Sequence, residues 1–309
     1  TFEKIQEMRY GENPHQKAAF YKEPRRTKGT VCDAIQLHGK ELSYNNINDA
    51  DGALSMLKEF PDKVVCVAVK HANPCGVGIG KNVFEAFKKA YDSDPVSIFG
   101  GIVAFNKTVD VVTAEKLHEI FLEIVIAPDY KDEALSLLRK KKNLRILKLD
   151  DITYNDENEF VMKKVSGGML VQGKDNTIVN MDEIKIVTVK QPTEQQIKDA
   201  VFGMAVCKHV KSNAIVLVKD MASIGIGPGQ MSRIGAARIA ISLAGERAEG
   251  SVMASDAYFP FDDCVIEAKK AGIACIIQPG GSISDKDVIA RADELGIAMI
   301  FTGMRHFLH

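Results

Sequence analysis

Short apolar runs rich in β-branched residues alternate along the chain with stretches whose apolar positions fall three or four residues apart. The runs Val64–Val69, Ile102–Ala104, Ile124–Ala127, Ala214–Val218, Ala274–Gln278 and Ala298–Phe301 predict buried strands. Phe84, Phe87, Ala90 and Tyr91 predict one helix between them, Ile234, Ala237, Ile241 and Ala244 a second, and Val288, Ala292 and Leu295 a third. Alternation of this kind, with several strands buried on both faces, implies an α/β fold with layered sheets. No apolar run reaches the roughly 18 residues of a membrane span.

The centre reads differently. The stretch DDITYNDENE, Asp150 to Glu159, is acidic and full of turn formers, and it follows the basic run Arg139 to Lys142. It predicts a surface connection between two α/β halves, residues 1–150 and 151–309, and the charge runs read as solvated faces. Each half contains a strand, a Pro/Gly-rich loop and a helix: Val64–Val69 leads into HANPCGVGIG, and Ala274–Gln278 into PGGSISD. The likeness is suggestive of an internal duplication.

Composition narrows the function classes. At roughly 150 residues per domain, 309 residues fit two domains. Forty Lys plus Arg against 41 Asp plus Glu leave a net charge of -1, without the basic excess of a general nucleic-acid binder. Zero Trp and 7% aromatics argue against a base-stacking platform. Six cysteines with no CxxC pair read as free thiols of a reducing, cytoplasmic setting. The charged opening TFEKIQEMRYGENPHQ does not read as a secretory signal. A small-molecule ligand is what remains.

The strongest local chemistry is Lys70-His71 at the end of a predicted strand, before Ala72-Asn73-Pro74-Cys75-Gly76. Ligands of open α/β sheets bind outside the carboxyl ends of the strands. A histidine there can move a proton near neutral pH, and a neighbouring cation can steady developing negative charge. The plainer reading is a turn-capping His beside a solvated Lys. His71 and Cys75 also resemble part of a zinc deaminase site. Asn73 stands where such a site needs a catalytic Glu, however, and no CxxC supplies further thiolates, so no zinc is expected.

A second signal is Gly225-Ile226-Gly227-Pro228-Gly229-Gln230-Met231-Ser232-Arg233, before a helix whose N-terminus favours an anion or a polar carbonyl. It is neither a P-loop nor a GxGxxG, and a plain tight turn is the alternative. Arg233 offers planar donors for an amide, carboxylate or phosphate. Arg9-Tyr10-Gly11-Glu12-Asn13-Pro14-His15, Ser97-Ile98-Phe99-Gly100-Gly101 and Asp256-Ala257-Tyr258-Phe259-Pro260-Phe261 combine turn chemistry with polar or aromatic groups, as ligand loops do. Singly, each reads as an ordinary loop. Arg305-His306-Phe307-Leu308-His309 follows a predicted strand and can reach the same ligand edge. Lys208-His209 ends a helix predicted to begin near Thr193, where cations favour the helix dipole, a structural role.

In order, the segments RYGENPHQ, SYNNINDADGA, VKHANPCG, DPVSIFGGIVAFN, IAPDY, GGMLVQ, KHVKSNAIV, GIGPGQMSRI, SDAYFPFDD, IIQPGGSISD and FTGMRHFLH run from Arg9 to the last residue. Together they resemble the formyltransferase part of the bifunctional AICAR transformylase/IMP cyclohydrolase family, without its cyclohydrolase part. The resemblance implies two cytidine-deaminase-like three-layer α/β units in one chain and an intertwined homodimer with sites at the interface. It implies transfer of a formyl group from 10-formyltetrahydrofolate to the 5-amino group of AICAR in purine biosynthesis. A separate IMP cyclohydrolase and a structural potassium ion are compatible with it.

By the same resemblance Lys70 and His71 match the catalytic pair. Arg9 and Tyr10 match nucleotide-phosphate contacts, with Arg305 near the phosphate or the transfer centre. Gly100 and Glu123 match ribose contacts, and Asn213, Arg233 and Tyr258 match positions around the carboxamide and imidazole. Phe99, Phe261 and Asp263 match the folate pocket, and His309 a C-terminal histidine near the nucleotide. Departures are Tyr258 where Phe is frequent, Glu123 where some members have Asp, Cys264 for Asn or Gly, and Pro228 for Ala. They bear on pocket shape more than on the reaction. Two other classes stand beside this reading: a catalytically silent nucleotide- or folate-binding module, and a metal-free small-molecule enzyme on a deaminase-like scaffold.

Overall fold

The computed structural model describes residues 1–24, 28–177 and 179–309. Two strands, β1 (Glu3–Met8) and β2 (Ala18–Lys22), form an N-terminal antiparallel ribbon. The first series then runs β3 (Ile35–His38), α1 (Tyr44–Leu57), β4 (Val64–Lys70), β5 (Asn73–Gly80), α2 (Val83–Ser93), β6 (Ile102–Phe105), α3 (Val111–Glu119), β7 (Ile124–Ala127), α4 (Asp132–Leu138) and β8 (Arg145–Lys148). Turns fill most of 150–159, and a second ribbon follows, β9 (Phe160–Val165) with β10 (Gly168–Gly173). The second series is β11 (Lys185–Ile186), α5 (Glu194–Cys207), β12 (Ile215–Lys219), β13 (Ala222–Gly227), α6 (Arg233–Ala244), β14 (Val252–Ser255), α7 (Asp263–Lys270), β15 (Cys275–Gln278), α8 (Asp285–Leu295) and β16 (Ala298–Phe301).

The two series repeat one another element for element. They join in one 12-stranded sheet of order β11-β16-β15-β14-β12-β13-β5-β4-β6-β7-β8-β3. At its middle β13 meets β5 antiparallel through Ala222 and Gly78, and the Val77 N–H donates to Ser223 Oγ at 2.8 Å. The inner strands β6–β8 and β14–β16 are parallel, whereas the two hairpins and the edge strands β3 and β11 run antiparallel to their neighbours. The sheet is therefore mixed.

Side-chain alternation builds the layers. Val65, Val67 and Val69 of β4 face α1, while Cys66 and Ala68 face α2. In the second series α5 covers one face and α6, α7 and α8 the other. Every residue of β6, β7, β14 and β15 is buried, so each large aliphatic side chain there contributes about 1.5–3 kcal/mol. Both α1 and α5 have 14 residues and open on a reciprocal cap, Ser43 with Asn46 and Thr193 with Gln196.

Two expectations change. The segment HANPCGVGIG is not a loop: from Asn73 it is strand β5, and Gly225–Gly227 likewise ends β13. These strands carry glycine because helices lie directly on them; a Cβ at Gly76 would stand 1.9 Å from the Ala90 carbonyl oxygen. Accordingly, the repeat of Val64–Val69 is Ile215–Lys219, and Cys275–Gln278 repeats Ile124–Ala127.

Candidate active site

The β4–β5 hairpin turns through only two residues, His71 and Ala72, at φ 52° and 57°. Positive φ at both central positions is the signature of the primed turns that match strand twist. Lys70, the last residue of β4, donates from Nζ to the Gly100 carbonyl oxygen at 2.9 Å and to that of Phe99 at 3.2 Å. Gly100 has φ 68° and its N–H donates to Phe121 O at 2.7 Å. The Phe99 ring lies 5.2 Å from that of Phe121. Close by in sequence, Glu123 accepts from Arg145 Nη1 at 2.7 Å.

Lys70 and His71 open onto a cleft of about 260 Å³, lined also by Asn73, Cys75, Asp94, Ser97 and Pro228. Asp49 of α1 accepts the Ala72 N–H at 2.7 Å. Burial raises the Asp49 pKa, opposed by the N–H groups of Ala72 and His71 and by the charges of His71 and Lys70. Burial also pushes the Cys75 thiol up to about 12, which disfavours the thiolate a metal would need. Among the described residues no three His, Cys, Asp or Glu side chains converge on a metal position.

A second cleft of about 400 Å³ gathers Asn213, Arg233, Tyr258, Phe261, Asp263 and Arg305. Arg233 opens α6 and is only 8% exposed. Its Nη1 donates to the Asp256 carboxylate and, at 2.9 Å, to Ser255 Oγ; Nη2 donates to Asn213 Oδ1 at 2.7 Å. Asn213 in turn donates from Nδ2 to Gln230 O at 2.8 Å. Much of the guanidinium is thus committed to the protein, and it orients Asn213. Ser212 Oγ donates to the other Asp256 oxygen at 2.6 Å and accepts the Leu308 N–H at 3.1 Å, which pins the C-terminal segment. Arg305 lies 4.5 Å over the Phe307 ring, and the His309 ring packs against the same Phe307 at 5.5 Å, tilted by 47°.

A family model described as AICARFT/IMPCHase bienzyme matches residues 1–243. The chain belongs to that family. The bifunctional purine biosynthesis proteins PurH of Acetivibrio thermocellus and Ruminiclostridium cellulolyticum are each 56% identical to it, over 310 and 312 residues. That of Bacillus cereus strain B4264 is 59% identical over 309 residues. All of this chain is covered in each case, and it spans 60% of the length of these curated relatives. Among solved structures, Acinetobacter baumannii RibD overlaps 35% of this chain and 33% of its own at 20% identity, with a TM-score of 0.24, which carries no argument.

For this AICARFT/IMPCHase member, the residues anticipated from sequence fall into two groups. Lys70 and His71 line one cleft, with Phe99 and Gly100 tied to Lys70 through their carbonyl oxygens and the Glu123 N–H donating to Gly101 O. Asn213, Arg233, Tyr258, Phe261, Asp263 and Arg305 gather at the other, with His309 held nearby through Phe307. The two clefts share no lining residue, although Asn73 Oδ1 of the first accepts the Lys211 N–H at 3.1 Å. Arg9 and Tyr10 line neither; they follow β1, with the Arg9 guanidinium 5.8 Å over the Tyr10 ring. A further hollow, about 420 Å³ between the β1–β2 ribbon and α1, contains none of the anticipated residues.

Sequence reasoning assigned no role to Asp49, Phe121 or Asp256. Asp49 and Asp256 had a signal, their places in SYNNINDADGA and SDAYFPFDD; Phe121 had none. Lys208-His209 is structural, but through a partner from the other half of the chain: Glu59 Oε1 accepts from Lys208 Nζ at 3.0 Å and His209 Nε2 at 2.8 Å. Among the described residues no helix is long and apolar enough to cross a membrane.

Proposed function

We propose that this chain transfers a formyl group from 10-formyltetrahydrofolate to the 5-amino group of AICAR, giving formyl-AICAR and tetrahydrofolate in purine biosynthesis. Within a family member, the observation that carries this reading is the Lys70–His71 turn at one cleft, with its ammonium held against Gly100. The amine is a weak nucleophile because its lone pair is delocalised into the imidazole. As it attacks the formyl carbon, His71 takes the amine proton. Lys70 spends two N–H groups on carbonyls and keeps a third for the tetrahedral oxygen or for the departing folate N10, which leaves as the C–N bond breaks.

Arg9, Tyr10 and Arg305 bind the phosphate, Gly100 and Glu123 the ribose, and Asn213 and Tyr258 the carboxamide side, with Arg233 holding Asn213. Phe99, Phe261 and Asp263 receive the folate, and His309 lies near the nucleotide. In this reading the two groups, each lining its own cleft, meet at an interface, one cleft from each protomer of a homodimer. The repeated element order supports two cytidine-deaminase-like units, 1–150 and 151–309. A structural potassium ion is compatible with this reading, and no step here uses one. A cytoplasmic site of action suits six free thiols, four of them buried, and an IMP cyclohydrolase activity would consume the product.

The test is absorbance-monitored tetrahydrofolate formation from 10-formyltetrahydrofolate with AICAR present or omitted. Turnover that requires AICAR is expected. Folded dimer that binds AICAR without turnover returns the chain to the class of silent binding modules.

A further inference from the structure

We propose that Asp49 is a positioning residue for His71, holding from α1 the two-residue turn on which the imidazole is mounted; the role in catalysis rests on the formyl-transfer reading above. Neither His71 nor Ala72 is glycine, yet both adopt positive φ, a region that is strained for an L-residue. Hairpins with such turns favour Asn, Asp or Gly at these positions, and where none is present an outside hydrogen bond can hold the turn. Asp49 supplies it, through its 2.7 Å bond from the Ala72 N–H. Lys70 is fixed separately by the Phe99 and Gly100 carbonyls. Two neighbouring groups that must act on opposite ends of one reacting bond thus have independent anchors.

The second half of the chain contains the same device without the chemistry. Asp199 occupies in the 14-residue helix α5 the place of Asp49 in the 14-residue helix α1. It accepts the Met221 N–H at 2.7 Å and the Asp220 N–H at 3.1 Å, and those turn residues have φ 59° and 52°. There the turn carries Asp220 in place of His71, it lines neither site cleft, and Lys219 Nζ donates to the Glu249 carbonyl oxygen at 2.7 Å. One clamp therefore serves the fold alone, and its copy serves a turn whose first central residue faces a cleft. Asp49 also stands close enough for its carboxylate to feel the His71 charge, with Lys70 beside the turn and Asp94 lining the same cleft.

The experiment compares Asp49→Ala, Asp49→Asn and Asp199→Ala, checked for fold by circular dichroism and thermal unfolding. It reads kcat and the KM for AICAR, and the His71 ring resonances by NMR, assigned with His71→Ala. Asp49→Ala should lower kcat on the order of tenfold or more, since small misplacements of a reacting group are costly, with the KM for AICAR little changed and the His71 resonance displaced. Asp49→Asn, whose amide oxygen still accepts the Ala72 N–H, should recover most of kcat and the native His71 signal. Asp199→Ala should lower the melting temperature while sparing kcat in the protein that remains folded. Wild-type kcat in Asp49→Ala, or an equal kcat loss in Asp199→Ala, overturns the proposal. If the wild-type protein transfers no formyl group, the functional reading fails by itself. The His71 spectrum then still judges the clamp, and an unmoved resonance in Asp49→Ala refutes it.

Discussion

Lys70 Nζ lies 2.9 Å from the carbonyl oxygen of Gly100, at a point where the backbone turns with φ 68°. A Cβ on Gly100 would stand 3.0 Å from that nitrogen. The glycine therefore does two things: it permits the backbone angle and leaves room for the ammonium. Lys70→Met should lower kcat on the order of a hundredfold or more, the scale of losing one donor to a developing oxyanion. Gly100→Ala should act in the same direction by displacing Nζ. Steady-state kinetics on folded protein decide both; normal kcat in Lys70→Met would remove the ammonium from the reaction.

Asp256 is fully buried and accepts from Arg233 and Ser212 at once. Asp256→Ala leaves a buried guanidinium without its counter-charge, which costs about 3–5 kcal/mol. Ser212→Ala removes one hydrogen bond and should cost about 1 kcal/mol. Urea unfolding separates the two, and equal midpoints would show that Arg233 does not depend on Asp256.

The joint between the halves has a pH signature. Burial works to raise the Glu59 pKa, but the hydrogen bonds and charges of His209 and Lys208 outweigh it and hold the carboxyl below its ordinary value. Unfolded, a Glu titrates near ~4.3. Its contribution to stability is therefore complete above that pH and is lost as pH falls through the lower folded value. Glu59→Gln should be less stable than wild type at neutral pH, and the gap should narrow on acidification below the ordinary carboxylate range. A constant gap across that range would contradict the assignment.

An interface-built site predicts subunit complementation. His71→Ala and Arg305→Ala each damage a different cleft, so a mixed dimer holds one doubly damaged site and one intact site. Statistical mixing of the two inactive variants should restore about a quarter of wild-type activity. No recovery, with subunit exchange verified by sedimentation of tagged chains, would place both clefts' functions within one protomer.

Legibility from sequence followed the physics of each element. Strands β4, β6, β7, β12, β15 and β16 were readable because β-branched runs buried on both faces leave an unbroken apolar signal, whereas β14, short and ending in Ser255, was not picked out. Strands β5 and β13 were hidden by glycines whose cause is a helix packed on them, a tertiary fact. Lys70 and His71 were visible because they end an apolar run. Arg233, Arg305 and the loop with Tyr258 and Phe261 were visible singly as loop chemistry, but only the resemblance joined them with Asn213 and Asp263, since loops from Asn213 to Arg305 meet in space and not in sequence. The commitment of Arg233 to Asp256, 23 residues away, left no local mark. Asp49 sits in a stretch of Asn and Asp, NNINDAD, with a single large apolar side chain, so the interior of α1 left no helical period in the sequence.

The most direct measurement follows tetrahydrofolate release by absorbance, with and without AICAR, for wild type and His71→Ala, alongside calorimetric AICAR binding to both. The account predicts AICAR-dependent turnover by wild type and a variant that binds AICAR as wild type does while losing most of kcat. Normal turnover by folded His71→Ala, or wild-type release that ignores AICAR, would contradict it.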